Sequence, residues 1–257
     1  MGDAAQVSEL IRLLRRGRKI LVFTGAGIST GSGIPDFRGP QGVWKTRQPV
    51  YYDEFLASEE KRVEYWDFKL EAWEVFRDAK PNATHVAIAE LEGLGRVQAL
   101  VTQNIDGLHH EAGSDPDRLL EIHGTNRWIA CVSCGARSDP APAMAFFREH
   151  RATPRCDDCG GFLKSATISF GQPLDSGVLD RAVSEAQRAD MVLALGSTLS
   201  VHPAASIPLI PARNGAPYVV INRGDTDHDS LATLKIDGDV AAVLPPAVAA
   251  LRQEVEE

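Results

Sequence analysis

Apolar positions along the chain follow two periods. Val7, Leu10, Ile11 and Leu14 recur at helical spacing with arginines on the opposite face, which predicts an amphipathic helix over residues 6–18. Ile20-Leu21-Val22-Phe23 is then an unbroken apolar run of strand length. Residues 97–102 read as a second buried strand, and 191–195 and 218–222 are two more apolar runs of strand length. Continuous rather than alternating runs suit strands covered on both faces, as in a parallel sheet. Between them, residues 59–79 (rich in Glu, Lys, Trp and Phe), His85 to Leu94 and Ala241 to Val255 read as helices. The pattern predicts a doubly wound α/β domain. Cys131 to Cys159 stands apart, with Gly, Pro and polar residues between two cysteine pairs, and reads as a smaller inserted module.

Composition narrows the class. A hydrophobic content of 44% with 24% charge excludes disorder as the main state of the 257 residues. No apolar stretch approaches the roughly 18 residues of a membrane helix. Charges at Glu9, Arg12, Arg15, Arg16 and Arg18 interrupt the first apolar residues, so no secretory segment is expected and a cytoplasmic location follows. The net charge of −8 argues against a nucleic-acid partner.

The four cysteines form Cys131-x-x-Cys134 and Cys156-x-x-Cys159, 21 residues apart. A two-residue spacer lets both thiolates of a pair face one point, and two pairs complete a tetrahedral Zn²⁺ shell. With all positions taken by sulfur the zinc is expected to be structural. A redox pair or chance spacing is the competing reading.

Gly25-Ala26-Gly27 directly follows the first strand, where glycines let a backbone approach a pyrophosphate; a plain tight turn would look the same. The spacing Gly25-x-Gly27-x-x-x-Gly31 departs from the usual dinucleotide fingerprint. The continuation through Gly33-Ile34-Pro35-Asp36-Phe37-Arg38 cannot be regular helix and holds an aromatic and an arginine on a loop. A second polar cluster, Thr102-Gln103-Asn104-Ile105-Asp106, opens where another strand ends. Its amides and carboxylate suit ribose hydroxyls and a carboxamide, or a capped turn. His123, beside Gly124, is a candidate general base or a structural histidine; His109, His110, His202 and His228 have no comparable surroundings.

Taken together, Gly25-Ala26-Gly27-Ile28-Ser29, Gly33-Ile34-Pro35-Asp36-Phe37-Arg38, residues 102–109, His123-Gly124 and the cysteine pairs occur in the order found in sirtuins. Phe170-Gly171, Gly196-Ser197-Thr198-Leu199-Ser200-Val201 with Pro203-Ala204, and Ile221-Asn222 agree, so the resemblance spans about residues 5–250. It implies a Rossmann-type NAD-binding domain of residues 1–43, 94–128 and 166–257. A helical module (44–93) and a zinc module (129–165) would form the small domain. It also implies that NAD⁺ and an acyl-lysine peptide meet in the cleft. The acyl oxygen would displace nicotinamide, and water would finally release lysine and O-acyl-ADP-ribose.

By the same resemblance, His123 and Asn104 are catalytic. NAD would contact Gly25, Ala26, Gly27, Ser29, Asp36, Phe37, Arg38, Gln103, Asn104, Ile105, Asp106, Gly196, Ser197, Thr198, Asn222, Arg223 and Val240. Phe170, Gly171 and Val201 would bind the peptide, and Cys131, Cys134, Cys156 and Cys159 the structural zinc. A monomer, without membrane or nucleic-acid partners, is expected. ADP-ribosyl transfer or NAD hydrolysis at the same site is the alternative activity, and a non-catalytic NAD-responsive module a third. Three departures bear on substrate. Gln172 replaces the glutamate of the usual Phe-Gly-Glu, removing a charge at the peptide cleft. Trp66-x-x-Lys69 stands nearest the Tyr-x-x-Arg of succinyl-preferring relatives, which disfavours acidic acyl groups. Gly39-Pro40-x-Gly42-Val43-Trp44 and Thr226-Asp227-His228-Asp229 resemble class IV sirtuins with long-chain deacylase and ADP-ribosyltransferase activity.

Overall fold

The computed structural model describes residues 4–36, 42 and 47–256. In chain order its strands are β1 (Ile20–Thr24), β2 (Val97–Thr102), β3 (Leu119–Glu121), β4 (Gly124–Cys131), β5 (Arg137–Ser138), β6 (Leu163–Thr167), β7 (Met191–Leu195), β8 (Tyr218–Asn222) and β9 (Leu234–Asp237). The helices are α1 (Ala4–Arg16), α2 (Tyr52–Ala57), α3 (Glu59–Asp78), α4 (Ala83–Gly93), α5 (Leu108–Glu111), α6 (Pro140–His150), α7 (Ser176–Arg188), α8 (Leu209–Arg213) and α9 (Val240–Glu256).

Six strands make one sheet in the order β3-β2-β1-β7-β8-β9, every neighbour parallel. The five residues of β1 are all buried because the two-residue pleat divides them between two cores. Ile20 and Val22 pack with Leu10 and Leu14 of α1, Ile88 and Leu91 of α4, and Leu244 and Val248 of α9. Leu21 and Phe23 face Ala182 and Ala186 of α7 and Leu209 of α8. The strand order reverses between β1 and β7, which opens a crevice at their carboxyl ends.

The second sheet, β5-β4-β6, is antiparallel. Its core joins Ile129 of β4, Phe55 of α2, Tyr65 and Trp66 of α3, and Met144 and Phe147 of α6. Arg62, almost fully buried, ties these elements together. Its guanidinium donates to the carbonyls of Phe55 and Leu56, pairs with Glu59 at 2.9 Å, and lies 3.7 Å over the Phe162 ring. A charge survives there because its Nε and Nη1 donors find acceptors and its flat face is stacked.

The long apolar strands match their predicted positions. Helix α6 lies inside the cysteine stretch, which reads in the sequence as a separate module with no helix marked in it. Its prolines, Pro140 and Pro142, occupy the first turn, where the missing N–H groups have no intrahelical acceptor, and Asp139 caps the end by accepting from Ala141 N at 2.7 Å. Helix α7 escaped the apolar pattern because its buried contacts come from the small residues Ala182 and Ala186. Among the described residues no helix is long and apolar enough to cross a membrane.

Candidate active site

Five strand ends supply the site, and glycines shape its floor. β1 runs into Gly25, whose N–H donates to Leu195 O at 3.0 Å; Gly27 N donates to Gly196 O at 2.8 Å. The two turns touch so closely that a Cβ on Gly25 would come within 2.7 Å of Gly196 O. One on Gly27 would meet Gly196 Cα at 2.8 Å. Gly196 has φ +60°, and a Cβ there would strike Ile28 N at 2.5 Å. No side chain fits between these turns, so bare backbone faces the crevice. Such a surface takes a pyrophosphate, and Asn222 and Arg223 follow at the end of β8.

β2 ends in the polar cluster. Gln103 Nε2 donates to Ser197 Oγ at 2.8 Å, joining the ends of β2 and β7. Asn104, 6% exposed, donates through Nδ2 to Gly25 O at 3.2 Å and Ser29 Oγ at 3.1 Å. The Ser29 hydroxyl donates to Asp106 Oδ2 at 2.7 Å, and Leu108 N donates to Asp106 Oδ1 at 2.9 Å. Burial raises the Asp106 pKa, with those two hydrogen bonds opposing it. Beneath them, Thr24 Oγ1 donates to Thr102 Oγ1 at 2.8 Å and lies 3.1 Å from His109 Nε2, while Thr102 Oγ1 accepts from Asn104 N at 3.0 Å. Asn104 is thus held on both sides.

His123 follows β3. Its Nδ1 lies 3.2 Å from Gln103 O, a carbonyl that can only accept. In the neutral ring the proton therefore sits on Nδ1 and the basic lone pair on Nε2, the form a general base needs.

These groups line one cavity of about 1140 Å³ between the two sheets. It collects Gly25, Ala26, Gly27, Asp36, Gln103, Asn104, Ile105, His123, Phe170, Gly171, Gly196, Ser197, Thr198, Val201, Asn222, Arg223 and Val240. Ser29 and Asp106 do not line it; they lie one layer behind and brace Asn104. Phe37 and Arg38, and the Gly39-Pro40 and Val43-Trp44 positions of the class IV pattern, fall outside the described residues.

Tyr65 and Trp73 of the cavity carry no signal in the sequence, and Lys69 enters only through its spacing from Trp66. Tyr65, Lys69 and Trp73 of α3 reach it from the other side, whereas Trp66 is buried in the small core. Lys69 donates to Asn126 Oδ1 at 3.0 Å, and burial, then the Lys164 charge, lowers its pKa to about 7. His109, unremarkable by sequence, is buried against the His85 ring with centroids 5.1 Å apart. Asn82, the cap of α4, secures the glycine-rich turn by donating to Ile28 O at 2.8 Å and Ser32 Oγ at 2.9 Å. Only local patterns are legible in a sequence; these contacts join residues more than 20 positions apart.

The four cysteines lie away from the cavity on two matching knuckles. Gly135 N donates to Cys131 O at 3.0 Å and Gly160 N to Cys156 O at 2.8 Å, with φ of +74° and +72° at these glycines. The sulfurs all lie within 4.8 Å of one another, with Cys131–Cys159 and Cys134–Cys156 separations of 3.5 and 3.7 Å. Four thiolates about 2.3 Å from a tetrahedral Zn²⁺ are about 3.8 Å apart, so the cluster fits that ion and leaves no ligand position for water.

Comparison with known proteins agrees with this architecture. Residues 25–203 match the model of the Sir2 family. An "NAD-dependent protein deacetylase" of Rhodopseudomonas palustris is 40% identical over 242 residues, 94% of this chain and 96% of that protein. One of the same name from Sulfolobus acidocaldarius is 41% identical over 250 residues, covering 96% and 94%. A structure described as "Sir2-p53 peptide-NAD+" superposes with a TM-score of 0.85 at 35% identity, covering 98% of this chain and 99% of that one.

Proposed function

Because the chain belongs to the Sir2 family, we infer that its cavity performs NAD-dependent deacylation of protein lysines. One observation carries the assignment of roles: Asn104 and His123, each fixed by backbone carbonyls, line the same cavity as the glycine cradle. A simple NAD-binding module has no use for an oriented base beside a buried amide.

NAD supplies a ribose carbon activated by its nicotinamide leaving group. The protein's residues do the rest. The bare turns at Gly25–Gly27 and Gly196 receive the pyrophosphate, and Asn222 and Arg223 the adenosine end. Asn104 and Gln103 orient the nicotinamide ribose, with Ile105 at the carboxamide and Asp106 bracing from behind. His123 Nε2 takes a proton from a ribose hydroxyl. The peptide enters as an added strand between Phe170-Gly171 and the Val201 segment, which presents its acyl-lysine to the cavity. Holding a weak oxygen nucleophile against one carbon is where such a site gains most of its rate. Peptide-dependent release of nicotinamide from NAD tests the assignment.

A further inference from the structure

Lys164 is 3% exposed, and among the described residues no carboxylate forms a salt bridge with it. Its Nζ donates instead to three neutral oxygens: Ser165 O at 3.2 Å, Thr167 O at 2.5 Å and Gln172 Oε1 at 3.4 Å. An ammonium has three protons, so the set is complete. Burial nonetheless lowers the pKa of Lys164 to about 8.

The acceptors belong to one segment. Gln172 Oε1 also accepts from Ser169 N at 3.1 Å, and Gln172 N donates to Ser169 O at 3.0 Å, closing a turn around Phe170-Gly171. Next to Thr167, Ile168 N donates to His123 O at 2.8 Å, and Phe170 O accepts from Tyr52 N at 2.9 Å. Gly124, with φ +72°, passes so close to this strand that a Cβ would meet Ala166 O at 2.2 Å. The segment beside the catalytic histidine is therefore clamped between β4 and the Lys164 ammonium. Gln172, where a charge seemed to be missing from the cleft, turns inward onto that ammonium.

The geometry points to Lys164 as a positioning residue that, through Gln172, holds the Ile168–Gln172 segment in the shape that pairs with the peptide. This rests on the reading of the cleft as a peptide-binding deacylase site. Removing the ammonium leaves three acceptors without their donor and loosens the turn, while the glycine cradle, on other strands, keeps its shape.

Steady-state kinetics on the full chain test it, with NAD and an acetyl-lysine peptide varied separately. Lys164→Met should raise the peptide KM about tenfold and leave the NAD KM within about twofold. Gln172→Leu should act in the same direction, and the double variant Lys164→Met/Gln172→Leu should be no worse than Lys164→Met alone. An equal rise in both KM values, multiplying single effects or an unchanged peptide KM in Gln172→Leu would overturn the inference alone. That last comparison holds if Lys164→Met does not fold. A wild-type chain showing no peptide-dependent nicotinamide release would overturn the deacylase reading as well.

Discussion

The Nδ1 atom of His123 lies 3.2 Å from the carbonyl oxygen of Gln103, one residue before Asn104. The backbone that carries Asn104 thus also sets the tautomer of His123, the base in the proposed reaction. His123→Ala should lower turnover by about two to four orders of magnitude, the range for losing a positioned base. NAD affinity should stay within a few-fold, since the cradle lies on β1 and β7. Turnover and calorimetric NAD binding, measured on one preparation, check both halves.

The contact between Gly27 and Gly196 predicts a different failure. Gly27→Ala places a methyl carbon 2.8 Å from Gly196 Cα, which forces the two turns apart. The NAD KM should rise at least about tenfold and the peptide KM less, because the Phe170-Gly171 turn is closed by its own hydrogen bonds and not by the cradle. Equal NAD KM values in wild type and variant would contradict the cradle.

Acid stability should depend on the histidines beneath the site. Burial lowers the His85 pKa to about 4 and that of His109 well below its ordinary value. Unfolded histidines titrate near ~6.5. As pH falls below that value the unfolded chain takes up protons that the folded chain refuses, so stability declines and the His85 share levels off near 4. That share is about 3 kcal/mol. Urea melts at pH 7 and pH 4.5 should show a smaller loss in His85→Gln than in wild type; parallel losses would refute the cause.

Metal analysis should find close to one zinc per chain. Chelation should unfold β4–β6 and lower the melting temperature, because so small a sheet leans on the knuckles at Cys131–Gly135 and Cys156–Gly160. Cys134→Ser should reproduce the effect. Zinc-free protein with an unchanged melting curve would remove the metal from the account.

Much of this architecture is visible in the chain itself, and the gaps have physical reasons. The central strands are legible because burial on both faces makes them mostly apolar, and the zinc knuckles because four sulfurs must share one spacing. The glycines of β1 are legible as a turn, but their need for Gly196 is not, since that contact spans some 170 residues. The network Thr24–Thr102–His109 uses residues that look ordinary alone and gain meaning by adjacency across β1 and β2. Gln172 reads as a lost charge, and Lys164 carries no signal, until the fold brings them together.

The central claim is most directly tested by incubating the protein with NAD and an acetyl-lysine peptide and following all species by mass spectrometry. The account predicts nicotinamide, deacetylated peptide and O-acetyl-ADP-ribose in equal amounts, each dependent on both substrates. Nicotinamide released at the same rate with and without peptide, or not released at all, would contradict it.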